Sequence, residues 1–122
     1  MVGLKKLASA AAVALFVTGE ARASTLDLVC AAQKRAPIRF RLDTEQKTWC
    51  LDECKSVWSI DELSDSQMKL SLRTQDGSHL WLFYIDRFTL KWWVVHTGYG
   101  NAPEDSGQCK VEPFSGFPKK QF

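Results

Sequence analysis

Beyond residue 17 the chain has no apolar run approaching the roughly 20 residues a bilayer-spanning helix needs, so the mature protein is expected to be soluble and not membrane-spanning. An excess of charge of one sign is also missing: 16 Lys and Arg stand against 14 Asp and Glu. Lys5, Lys6, Arg22 and Glu20 lie in the first 23 residues, which leaves 13 basic and 13 acidic residues beyond them. A neutral body without a basic stripe argues against nucleic acid as a partner. Catalytic signatures are absent too. There is no Gly-x-Ser-x-Gly elbow, no glycine loop for phosphate and no His-Glu-x-x-His. Asp52/Glu53 and Asp61/Glu62 are adjacent carboxylates in turn-like stretches, and adjacency gives no two-sided acid–base geometry. His79 and His96 read as strand-edge residues rather than a proton shuttle. The chain is therefore expected to be non-enzymatic, with no cofactor and no metal.

What is present begins with an address. Lys5 and Lys6 precede the short apolar run LASAAAVALFV, and Ala21-Arg22-Ala23 places small residues where a signal peptidase reads. Residues 1–23 are expected to be a cleaved signal peptide and 24–122 a single β domain with a C-terminal tail at 110–122. Export to the periplasm or beyond makes disulfides permissible.

Four cysteines follow, Cys30, Cys50, Cys54 and Cys109, which allow three pairings. In one continuous strand Cys50 and Cys54 would stand about 13 Å apart, beyond the roughly 7 Å limit for a bridge. A reversal at Leu51-Asp52-Glu53 brings them together, and we favour Cys50–Cys54 with Cys30–Cys109. Zinc sites usually use two such ligand pairs, and an oxidising compartment would convert these thiols first.

The dominant period is two. Ile38, Phe40 and Leu42 alternate with Arg39, Arg41 and Asp43; Met68, Leu70 and Leu72 alternate with Lys69, Ser71 and Arg73. Such alternation marks strands with one buried face. Leu26–Ala31, Thr48–Leu51, His79–Ile85 and Thr89–His96 read as further strands, the last two as a hairpin across Asp86-Arg87-Phe88, and Val57–Ile60 is a further short apolar stretch. Ser59–Gln67 carries a weak capping pattern for one helical turn at most, and Thr97–Gly107 reads as a surface loop. The fold class is all-β, a small antiparallel β-barrel or sandwich stapled by two disulfides. Phe40, Leu70, Leu82, Ile85 and Val94 are expected in its core.

The chain is rich in aromatics, with five Trp, seven Phe and two Tyr. Neighbours on a strand point to opposite faces, so Trp92 and Trp93 should divide between core and surface, the exposed one grouping with Trp81 or Phe83 across the hairpin. Large rings fill small cores, and a flat exposed group also suits a ligand. Trp81, Trp92, Trp93, Tyr99, Phe114 and Phe117 form the candidate binding surface. Phe114 and Phe117 lie just after Cys109 and are expected to fold back over one open end of the β domain, with the bend at Ser115-Gly116.

Three segments carry a resemblance: Lys47-Thr48-Trp49-Cys50-x3-Cys54, Ile85-Asp86-Arg87, and Cys109-Lys110-Val111-Glu112-Pro113-Phe114-Ser115-Gly116-Phe117-Pro118 with terminal Phe122. Together they resemble a family of short exported bacterial proteins of uncharacterised activity, marked by a Trp-Cys-x3-Cys pair and a Cys-x4-Phe-Ser-Gly-Phe tail. Here Phe88-Thr89-Leu90 follows the Ile-Asp-Arg turn where the family usually has a glycine. The resemblance implies an address and a fold, and no activity. A second, architectural likeness is to the small eight-stranded periplasmic lysozyme inhibitors, which also link an early and a late cysteine; their Ser-Ala-Ser-Gly stretch is missing here. The expected function is an exported binding or envelope-accessory protein that meets a protein or small ligand of the cell envelope. The alternatives are an inhibitor of an envelope-attacking hydrolase and an enzyme of undefined type.

Overall fold

A computed structural model describes residues 24–97 and 102–119. The first 23 residues, which include the expected signal peptide, Tyr99 and terminal Phe122 lie outside the described residues. Nine strands follow in order: β1 (Thr25–Cys30), β2 (Ile38–Asp43), β3 (Thr48–Leu51), β4 (Trp58–Ser59), β5 (Glu62–Leu63), β6 (Gln67–Arg73), β7 (Leu80–Asp86), β8 (Lys91–His96) and β9 (Asp105–Glu112). No helix occurs among the described residues. Where a helical turn competed at Ser59–Gln67, the chain forms β5 instead, because Leu63 pairs with Met68.

All pairings are antiparallel, and the spatial order is β4-β3-β2-β1-β9-β8-β7-β6-β5. The two edges of that order are consecutive pieces of one short segment. Trp58 and Ser59 pair with β3 and Glu62 and Leu63 with β6. Between them the Ile60 N–H donates to the Lys47 carbonyl (2.8 Å), and the Asp61 N–H to the Lys69 carbonyl (3.0 Å). The sheet therefore curls back towards its own beginning, a barrel-like form with its edges joined rather than two separate layers. A second strand also serves both halves. Asp105–Gln108 of β9 pairs with β8, and Cys109–Glu112 pairs with β1.

The alternation read from sequence survives as inward parity. Phe40 and Leu42 on β2, Trp49 on β3, Met68 and Leu70 on β6, Phe83 and Ile85 on β7, and Trp92 and Val94 on β8 are all buried. Rings from opposite halves meet inside: Phe40 lies edge-on to Phe83 at 5.3 Å, and Trp49 lies 6.3 Å from Phe83. Leu82 was expected in this core and is not there. It shares a strand with inward Phe83, so its side chain takes the opposite face, opposite Ser71 and Val95.

Both favoured disulfides are present. Cys30–Cys109 joins directly paired residues of β1 and β9, at the point where β9 changes partner. Cys50–Cys54 spans a reversal in which Asp52 and Cys54 have φ of 47° and 61°, and the Cys54 N–H donates to the Leu51 carbonyl (2.7 Å). The two bridges place the protein in an oxidising setting rather than the reducing cytoplasm.

Two boundaries move. The expected loop Thr97–Gly107 gives way to β9 at Asp105, and the expected tail from residue 110 starts only after Glu112. Segment 113–119 then lies along the outer face of β1 and β2. The Ser115 N–H and hydroxyl both donate to Asp27 (3.2 and 2.6 Å), and Arg41 Nη1 donates to the Gly116 carbonyl (2.9 Å). Gly116 makes the bend with φ of 101°, a conformation that favours glycine. The tail thus folds back, but its tethers are on the outer wall and not across an open end. Phe114 and Phe117, half-buried, pack edge-on against each other at 5.1 Å.

Candidate functional site: the mouth of the curled sheet

One end of the curled sheet gathers the end of β1, the start of β2, the end of β3, the end of β6 and the start of β7. Apolar residues at these termini, Ile38, Leu51, Leu72, Trp81 and Phe83, line a mouth of about 310 Å³ that also touches Arg35, Ala36, Pro37 and Asp52. Strand ends leave inward side chains with no further layer to cover them, and so a core continues into an opening. A cavity of this size is at the lower limit for small-ligand sites.

The rim is formed by the 31–37 connection, and its shape is imposed by one buried carboxylate. Asp105 accepts the N–H groups of Gln33 (2.9 Å) and Lys34 (3.2 Å), the Arg35 Nε (3.0 Å) and its neighbour Ser106 N–H (2.8 Å). Burial alone would push this carboxyl up, but the Gln33, Ser106 and Lys34 N–H groups and the Arg35 charge outweigh it and hold it below the usual range. Arg35 reaches on to Glu104 Oε1 at 3.0 Å. The same connection is anchored from within, since Trp92 Nε1 donates to the Ala31 carbonyl (2.7 Å) and the Ala31 N–H to the Gln108 carbonyl (2.9 Å).

Next to the mouth stands an aromatic and imidazole cluster. The β7–β8 register sets Trp81 opposite His96, and the two rings stack at 4.4 Å and 13°. His79, just before β7, places Nδ1 at 2.9 Å from His96 Nε2 and stacks at 5.8 Å on Trp81. His96 Nδ1 faces Glu104 Oε2 at 3.5 Å. The chain Arg35–Glu104–His96–His79 therefore runs along the rim with Trp81 behind it.

The candidate surface residues that the structure describes fall in four places. Trp81 lines the mouth. Trp92 is a core residue, 1% exposed. Trp93 points outward as the parity argument requires, but its neighbour across the hairpin is Tyr84, stacked at 5.3 Å with Lys69 Nζ 5.9 Å from the Tyr84 ring, and neither Trp81 nor Phe83. Phe114 and Phe117 belong to the tail on the outer wall of the other half. The carboxylates of Asp52/Glu53 and Asp61/Glu62 are exposed; Asp52 accepts the Arg39 N–H (2.9 Å). The histidine pair was legible in principle: counting back from a hairpin with Ile85 opposite Trp92 puts Trp81 against His96. The Asp105 clamp and the Asp27 clasp carry no local signal, since their partners lie about 70 and 88 residues away.

No family model, curated protein or solved structure matches the chain.

Proposed function

We propose that the protein is a non-enzymatic binding module of the cell envelope, exported to the periplasm by its leader, and that it takes an apolar or aromatic group of its partner into the mouth. The observation that carries this reading is the mouth itself: a pre-formed opening with walls of Ile38, Leu51, Leu72, Trp81 and Phe83. The charged groups on its edge support binding rather than acid–base work, because Arg35 is held by Glu104 and Asp105 and Asp52 is engaged by the Arg39 N–H. A rigid rim lowers the ordering cost of association.

The test is capture from envelope extract by immobilised protein, set against an Ala36→Trp variant. Ala36 is exposed on the rim, so the bulk narrows the opening without entering the core. Loss of the captured partner at unchanged melting temperature supports the mouth; equal capture refutes it. A second reading, inhibition of an envelope-attacking hydrolase such as lysozyme, is favoured by the curled antiparallel sheet with an early-to-late disulfide. An enzyme assay of lysozyme with and without the purified protein decides it.

A further inference from the structure

We propose that the partner enters as an extended polypeptide, adding a short antiparallel strand along the free edge of β6 at Ser71–Arg73, with an apolar side chain in the mouth and an acidic one beside Arg73. This rests on the mouth reading above and names the class of partner. The wall of the curled sheet is incomplete. Segment 58–63 joins β3 to β6 along only part of their length, since β4 pairs with Thr48 and Trp49, and β5 with Met68 and Lys69. Towards the mouth, β3 ends at Leu51 and β6 continues through Leu70–Arg73, with no strand paired between them among the described residues.

Ladder parity identifies the backbone groups left over. The Arg87 N–H donates to the Ser66 carbonyl (2.8 Å) and the Thr74 N–H to the His79 carbonyl (3.1 Å), so the even-numbered residues between Ser66 and Thr74 bond to β7. The N–H and C=O groups of Ser71 and Arg73 therefore point across the gap, where nothing among the described residues bonds them. Side chains do not fill the gap either. An opening of about 480 Å³ beside Lys55 and Trp58 runs into the mouth, and the two share Leu51, Asp52 and Leu72 in their walls. A row of unpaired strand donors and acceptors is matched by extended main chain. Side-chain alternation then sets the sequence of the incoming strand. Leu72 lines both openings, so the residue opposite it turns inward, against Leu51 and Trp81. Arg73 is exposed and forms no ion pair among the described residues, so a carboxylate opposite it complements the guanidinium. In the antiparallel sense the incoming strand reads acidic, apolar, polar, the last opposite Ser71. A second copy pairing through the same edge would bring Ser71, not a carboxylate, opposite Arg73.

The test is fluorescence anisotropy of a labelled peptide, Ser-Thr-Glu-Phe-Thr-Val-Ser, titrated with the purified, disulfide-intact protein, with amide hydrogen exchange of the complex followed by NMR. Saturable binding is expected, with exchange slowed at Ser71 and Arg73 and unchanged at Leu72. Methylating the backbone nitrogen of the peptide's glutamate, or Ser71→Pro in the protein, removes one edge hydrogen bond and should weaken binding about tenfold. Proline at this position deletes an N–H that β7 does not use. If that variant melts lower, the methylated peptide and the exchange pattern decide. Lysine in place of the peptide's glutamate should bind more weakly, and Arg73→Glu should reverse that preference. No saturable binding, binding indifferent to backbone methylation, or a dimer of the free protein with Ser71 and Arg73 already protected overturns the proposal. Binding lost with Ala36→Trp but kept with Ser71→Pro leaves the mouth standing and refutes the added strand; the converse supports the strand and refutes the mouth.

Discussion

The clasp between Asp27 and Ser115 decides whether the tail is part of the fold or a segment available to a partner. Asp27 points outward on β1, yet its side chain is fully covered. It accepts Arg39 Nη1 at 2.7 Å, Ser115 Oγ at 2.6 Å and the Ser115 N–H at 3.2 Å. Hydrogen bonds to a charged group contribute about 1.5–3 kcal/mol each. Arg39 is about a third exposed and keeps Glu112 as a second partner, so its share is discounted towards the values for solvated pairs. Asp27→Asn should then cost about 2–3 kcal/mol in the full chain, and Ser115→Ala about 1.5 kcal/mol. At about 4–8 °C per kcal/mol for a domain of this size, the first change lowers the melting temperature by about 8–24 °C.

The informative comparison is with a chain ending at Pro113. Removing the tail lets water reach Asp27, so the carboxylate is no longer buried without partners. The half-buried rings of Phe114 and Phe117 each return part of about 1.5–3 kcal/mol, offset by about 1–2 kcal/mol of regained backbone entropy for each released residue. Truncation is therefore cheap, and Asp27→Asn in the truncated chain should cost less than about 1 kcal/mol. Urea denaturation at neutral pH with the disulfides intact, compared at constant slope, measures all four corners of this cycle. If Asp27→Asn costs the same with and without the tail, the carboxylate acts through Arg39 alone and the clasp argument fails.

Three further outcomes follow from single contacts. A Cβ added at Gly107 would lie 1.8 Å from the Ala31 carbonyl oxygen and 3.0 Å from Trp92 Nε1, so Gly107→Ala should break the Trp92–Ala31 bond and cost about 3 kcal/mol; a loss under about 1 kcal/mol in urea would refute this. Trp49 Nε1 is buried without a hydrogen-bond partner among the described residues, whereas Trp92 Nε1 is bonded, so Trp49→Phe should be milder than Trp92→Phe by about 1–3 kcal/mol in the same assay. Asp76, held at about 2 by the Ser78 N–H and hydroxyl and by Thr74 Oγ1, and Asp105, also held low, both carry folded pKa values below their unfolded ones. Their stabilisation is complete above about pH 4 and is lost as the pH falls through the folded values; melting curves from pH 5 to pH 2 should show that decline, and Asp76→Asn should flatten part of it.

Much of the fold was legible because period-two alternation is a strong constraint when one face is buried. Ile38-Phe40-Leu42 and Met68-Leu70-Leu72 fell inward as read, and the Cys50–Cys54 reversal followed from the reach of an extended chain. Leu82 shows the limit. HLWLFYI is apolar at nearly every position, so composition gives no parity, and only the register against β6 and β8 assigns Phe83 inward and Leu82 outward. The short strands β4 and β5 were read in part or as a helical turn because two-residue pairings are set by their neighbours and carry no period of their own.

The candidate site was less legible, for a related reason. Parity states which face a side chain takes, not what covers that face. Asp27 and Trp93 have the same outward parity, yet Asp27 is sealed by Arg39 and the returning tail while Trp93 lies against Tyr84. Both outcomes depend on residues far along the chain, and no local window contains them. The mouth is different, because strand ends are marked by turn residues and the apolar residues beside them can be named: Ile38 after Pro37, Leu51 before Asp52, Leu72 before the Thr74–Ser78 turn and Trp81 after it. What assembles these four into one opening is the curl of the sheet, which brings β2, β3, β6 and β7 to the same end. The step from named strand ends to a binding mouth therefore rests on closure, and closure rests on the 58–63 segment that joins both edges. Disrupting Ile60–Asp61 should for that reason open the mouth before it unfolds the sheet, since the β1–β9 disulfide still holds the two halves together on the opposite side.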